Sequence, residues 1–192
     1  MTAPDHASHP LWQHVFGNPR PVEVEIGCGT GTFILHAAAE NPATNYFGIE
    51  RAHRRAHRLL AAVESRALAN TRILDADAGC VVANVIPADS VRAYHIYFPD
   101  PWWKRRHFTR RYFTPEFAAA LERTLVPGGT LFLATDVTEV MQRMLAAVTA
   151  GSTLERRPEL RSPRVGMTAF ERKGIARGAD IHDAVFVRHT AG

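Results

Sequence analysis

The chain predicts a mostly parallel α/β sheet with helices on both faces, and three observations predict it. Short apolar, β-branched runs alternate with longer Ala-, Leu- and Arg-rich segments, a glycine-rich turn follows the first run directly, and an acid closes the second. Such alternation is the pattern of βαβ units.

Strands are expected at about 22–26, 45–50, 71–75, 92–98, 130–135 and 184–188, with helices between most of them. The segment 31–40 (GTFILHAAAE) reads as a helix that stops before Asn41-Pro42. Pro115 opens another helix at its first turn, where a missing N–H is harmless. Val126-Pro127-Gly128-Gly129 reads as a turn feeding the fifth strand. The stretch 156–180 carries Pro, Gly and many charges without periodicity, so it reads as a loop at the end of the sheet. With 192 residues, one domain is the default: residues 21–192, behind a short N-terminal segment 1–20.

A net charge of +4 permits a polyanionic partner without demanding one. Only Lys104 and Lys173 among the basic residues are not Arg, so the abundance of Arg carries no weight by itself. Cys28 and Cys80 make neither a disulfide framework nor a C-x-x-C metal pattern, which suits a reducing compartment and leads to the expectation of a cytoplasmic protein. No export signal is apparent, and no run of about 18 apolar residues could cross a bilayer.

The first strand runs into Glu25-Ile26-Gly27-Cys28-Gly29-Thr30-Gly31, and the second ends at Glu50, nineteen residues after Gly31. Glycines let the chain turn sharply and let a ligand approach the backbone, while the acid is placed to accept hydrogen bonds from both ribose hydroxyls. The spacing is G-x-G-x-G, and Phe33 and Ile34 stand where a dinucleotide site would place its third glycine. Asp77, just past the third strand, adds an acid able to meet an adenine amino group. Glu25, Glu50 and Asp77 would repel a pyrophosphate and tolerate a sulfonium and an ammonium. S-adenosylmethionine therefore fits better than NAD.

At the end of the fourth strand stands FPDPWWKRRHFTRR, residues 98–111. Pro99 and Pro101 push Phe98 and Asp100 toward extended backbone, so the Asp100 carboxylate is held at the edge where open α/β sheets bind ligands. Lys104, Arg105, Arg106, Arg110 and Arg111 can neutralise phosphates, and Trp102, Trp103, His107 and Phe108 offer faces for an unstacked base.

These motifs resemble those of the bacterial-type tRNA (guanine-N7-)-methyltransferases: E-I-G-C-G-T-G at 25–31, G-I-E at 48–50, F-P-D-P-W with K-R-R-H and R-R at 98–111, A-T-D at 134–136 and T-A-F-E at 168–171. The resemblance runs from about Val22 to Arg188. It implies a Rossmann-like sheet of seven strands and S-adenosylmethionine surrounded by Glu25, Glu50, Asp77 and Asp100, the glycines Gly27, Gly29 and Gly31 forming the loop. It also implies that Asp100 acts in catalysis and that Lys104, Asp136, Thr168, Ala169, Phe170 and Glu171 hold the guanine.

Departures from the family leave two acceptors open. Arg20 is the only Lys or Arg among the first twenty residues, Trp103 and Thr109 stand where the family usually has proline and a base, and RKGIARGADIHD follows T-A-F-E without the usual R-G-x-R. A ring nitrogen of a guanine in tRNA is the first acceptor, and a free purine-like or other small heterocycle is the second. A non-catalytic RNA-binding module would not need Glu50, Asp77 and Asp100 together. His53 and His57, four apart on an expected helix beside Arg54, Arg55 and Arg58, read as a solvated face, and no metal is expected.

Overall fold

Val22, Val24 and Ile26 alternate with Glu23 and Glu25 along β1 (Val22–Ile26), and this two-residue period sorts the whole sheet into two faces. The fold is seen in a computed structural model that describes residues 9–99, 113–163 and 180–190. After α1 (Pro10–Phe16) and β1 come α2 (Thr32–Glu40), β2 (Asn45–Glu50), α3 (His53–Ser65), β3 (Thr71–Asp75) and α4 (Ala78–Asn84). The chain continues with β4 (Val91–Tyr97), α5 (Pro115–Thr124), β5 (Leu125–Thr135), α6 (Thr138–Gly151), β6 (Glu155–Arg156) and β7 (His182–Val187).

The seven strands form one sheet in the order β3-β2-β1-β4-β5-β7-β6. The strands from β1 to β5 run parallel, β7 is antiparallel to β5, and β6 is antiparallel to β7. Val24, Tyr94, Leu131 and Leu133 meet α1, α4, α5 and α6 in a core that includes Trp12, Val82, Leu121 and Met144. On the other face Tyr46, Tyr97 and Ala134 meet Phe33, Ile34, Leu59 and Val63 of α2 and α3. The strand order reverses between β1 and β4, so the glycine loop after β1 and the segment after β4 leave the sheet side by side at its carboxyl rim.

The six expected strands all form, and the expected helices at 31–40 and from Pro115 form as well. Thr114 caps the latter by accepting from the Phe117 amide at 3.2 Å. Two readings of the sequence are corrected. The expected turn at Val126–Gly129 lies inside β5 as a bulge: Val91 pairs with Leu125 and Ala93 with Thr130, while Gly128 and Gly129 bond to Arg188. Phe98 is not extended. Its φ is 48°, because its amide still donates to the Ala134 carbonyl at 2.8 Å while its ring packs against the α2/α3 core, so the chain leaves the sheet through a left-handed residue. No helix among the described residues is long and apolar enough to cross a membrane.

Candidate active site

Glu25 ends the polar row of β1 on the face covered by α2 and α3. It is 5% exposed, and its Oε2 has no hydrogen-bond partner among the described residues. Burial pushes its carboxyl up to about 8, the nearby Glu50 charge adds to this, and the Cys28 thiol and Ile34 amide offset only part. A buried acceptor left unsatisfied at a loop mouth is what a cationic ligand would complete.

The loop itself is held open by backbone geometry. Gly27, Gly29 and Gly31 have φ of 77°, 55° and 78°, in the left-handed region that favours glycine. A Cβ at Gly27 would meet nothing within 4 Å, leaving the backbone accessible from the rim, whereas one at Gly31 would lie 2.1 Å from Leu59 Cδ1. Gly31 therefore permits α2 and α3 to approach, and Gly27 exposes the peptide edge. Glu50, 5% exposed, accepts from the Gly29 amide through Oε2 at 2.8 Å and from the Ala52 amide through Oε1 at 2.7 Å. A carboxylate has about four lone-pair sites, so this clamp leaves capacity for a diol.

Asp77 caps α4 by accepting from the Cys80 amide at 3.2 Å, and its other oxygen lies 3.5 Å from Arg51 Nη1. Both its side chain and that of Arg51 are about half exposed, so the pair leaves Asp77 accessible at the rim beyond β3. Asp136 is exposed one residue beyond β5, next to the end of β4. The fold thus gathers Glu25, the glycine loop, Glu50, Asp77 and Asp136 along one rim. Asp100, Lys104, Arg105, Arg106, Arg110, Arg111, Thr168, Ala169, Phe170 and Glu171 lie outside the described residues.

A buried polar chain beneath this rim escaped the sequence reading. Glu23 accepts from Arg92 Nε and Nη2 at 3.1 and 2.7 Å and stands 2.9 Å from His95 Nε2. His95 Nδ1 lies 2.7 Å from the Tyr97 hydroxyl, to which the Ser162 hydroxyl bonds at 2.8 Å. Burial raises the Glu23 carboxyl, but the hydrogen bond and charge of His95 together with Arg92 outweigh it and hold the group at about 2. The available signal was Glu23 on β1 and His95 and Tyr97 at a spacing of two on β4; nothing in the sequence pointed to Ser162. His53 and His57 are exposed, as read, but the end of β3 adds Asp75: His53 Nδ1 pairs with its carboxylate, and one ligand atom from each of the three groups falls within 4.8 Å of the others.

The site is an acid-lined rim at the carboxyl ends of the strands, and comparison with known proteins places the chain among methyltransferases. Residues 19–184 match the methyltransferase family model Methyltransf_4. A tRNA (guanine-N(7)-)-methyltransferase of Burkholderia mallei is 37% identical over 98% of this chain and 73% of its own length. Another, from Alkalilimnicola ehrlichii, is 38% identical over 94% of this chain and 78% of its own length. In fold, the 16S rRNA methyltransferase KamB superposes with a TM-score of 0.66 at 16% identity, covering 96% of this chain and 95% of its own. The chain accordingly belongs to the tRNA (guanine-N7-)-methyltransferase family.

Proposed function

We propose that this protein transfers the methyl group of S-adenosylmethionine to N7 of a guanine in tRNA. The observation that carries the reading is the match of 98% of the chain, at 37% identity, to a protein of that name. The relatives' names favour tRNA over a free heterocycle as acceptor.

The residues present fit the donor. Glu25, with its buried Oε2 unpartnered among the described residues, would hold the cationic methionine end; Glu50 would hold the ribose; and Asp77 would meet the adenine amino group. When bound, S-adenosylmethionine supplies an electrophilic sulfonium methyl group. Guanine N7 is an in-plane lone pair without a proton, so the chain's residues need no strong general base. Their task is alignment, an effect that can supply about 7–11 kcal/mol. Asp100 and Asp136 would accept from the guanine N1–H and exocyclic amine, and their charge favours a base that becomes cationic on methylation. Lys104 and residues 168–171 would complete the guanine pocket, and Arg105, Arg106, Arg110 and Arg111 would neutralise phosphates.

The test is methyl transfer from labelled donor to bulk unmodified tRNA and, separately, to free heterocycles, followed by identification of the methylated atom. Label at guanine N7 of tRNA is expected. Asp100→Ala should lower turnover by orders of magnitude while changing donor affinity little; equal activity in that variant would remove Asp100 from the chemistry.

A further inference from the structure

The first two turns of α3 and the residues just before it carry Arg51, His53, Arg54, Arg55, His57 and Arg58, all exposed, while Ala56 and Leu59 face the core. Arg51 is paired with Asp77, and His53 with Asp75. The guanidinium groups of Arg54, Arg55 and Arg58 have no ion pair or hydrogen bond among the described residues. Their placement works against the helix that bears them. Arg54 and Arg55 sit in the first turn, where the helix dipole disfavours cations and where no acid or side-chain cap is present. Arg58 stands four residues from Arg54 and three from Arg55, spacings at which like charges repel. Among the described residues no acid pairs with these three guanidinium groups, and a polyanion would compensate them.

The patch is well placed for one. α3 begins three residues after Glu50, at the carboxyl rim, and β2 is separated from β4 by β1 alone. Two strand spacings are about 10 Å, so the patch lies well inside the footprint of a folded RNA whose base is presented at the end of β4. Resting on the reading of the substrate as tRNA, we propose that the α3 guanidinium groups of Arg54, Arg55 and Arg58 form a second phosphate-binding surface that tracks the RNA backbone across the donor side of the rim. The surface is carried by side chains along two helical turns rather than by the helix amides.

The experiment measures affinity for bulk unmodified tRNA against salt for the wild type, the triple variant Arg54→Gln/Arg55→Gln/Arg58→Gln, the corresponding triple Lys variant, and Arg156→Gln at the far edge of the sheet. For the Gln triple variant the log–log salt slope should flatten by about 2–3, with affinity down by about 100-fold near 0.1 M salt. Its donor affinity should be unchanged and its Tm no lower than that of the wild type, which separates lost RNA contact from lost folding. The Lys variant should keep the slope, and Arg156→Gln should leave it intact. An unchanged slope in the Gln triple variant, or equal flattening by Arg156→Gln, overturns the proposal while leaving the tRNA reading standing. A wild type that transfers no label to tRNA overturns the tRNA reading itself.

Discussion

Two glutamates on one strand, both facing α2 and α3, are driven in opposite directions by what surrounds them. Glu23 meets Arg92 and His95 and is held at about 2, while Glu25 meets neither and is pushed up to about 8. Linkage then gives opposite signs. Glu23 titrates lower in the folded chain than in the unfolded one, so its stabilisation is present above the ordinary value of 4.5 and is lost as pH falls toward 2. Glu25 titrates higher when folded, so its folded form is favoured at low pH and that advantage is lost as pH rises from 4.5 through about 8. Without donor, Glu25→Gln should therefore lose less stability than the wild type between pH 6 and 9. A cationic donor reverses the preference, because it favours the ionised carboxylate. At pH 7 donor binding should release close to one proton, given a group at about 8, and the release should vanish above pH 9. Titration calorimetry in buffers of different ionisation enthalpy reads this directly. Heats that do not depend on the buffer would take Glu25 out of contact with the donor's charge.

At the level of elements, α2 and α3 approach closely across the glycine loop at Gly31. Gly31 has φ of 78°, and a Cβ there would lie 2.1 Å from Leu59 Cδ1. Gly31→Ala should destabilise by about 1–2 kcal/mol through the backbone and by about 1–3 kcal/mol through overpacking. Only the second part is relieved when Leu59 is shortened. Leu59→Ala should therefore cost about 1–3 kcal/mol less in the Gly31→Ala background than alone, as a denaturation double-mutant cycle would show. Additive effects would mean that Leu59 moves aside freely. Of these elements, β1 to β4 were legible because their apolar, β-branched runs are bounded by turn residues. The two-residue β6 was not: Glu155 and Arg156 are exposed and join β7 through backbone pairing, which leaves no apolar pattern. The Pro-Gly-Gly of β5 read as a turn because its chemistry is that of a turn, and only pairing with β4 and β7 makes it a bulge. Phe98 read as extended from the following proline, but the long-range bond to Ala134 overrode that local preference. In the site, the glycines and Glu50 could be read from spacing along the chain. The isolation of Glu25 could not, since it depends on what packs around the strand.

At the scale of the whole molecule, the strand order places the reversal between β1 and β4, so a ligand at the rim touches loops from both halves of the sheet. Glu25 stands near the end of β1 and the glycine loop follows that strand, Glu50 ends β2, and Asp77 follows β3. Because these groups come from three successive strands and the turns after them, they converge only in the folded state. An unfolded chain presents no such arrangement, and the donor's binding energy therefore adds to the folding energy. At a donor concentration of 100 times Kd the added stability is about 2.7 kcal/mol, and for a chain of this size each kcal/mol moves Tm by about 2–4 °C. A rise of about 5–10 °C is expected in a thermal scan with S-adenosylmethionine. Glu25→Gln should shrink that rise, because its donor affinity falls even as its donor-free fold gains stability above neutral pH. Arg54→Gln/Arg55→Gln/Arg58→Gln should show the full rise, because those side chains are assigned to RNA and not to the donor. If the donor left the wild-type Tm unmoved at saturation, the acid-lined rim would not be its site, and the convergence of three carboxylates there would need another ligand.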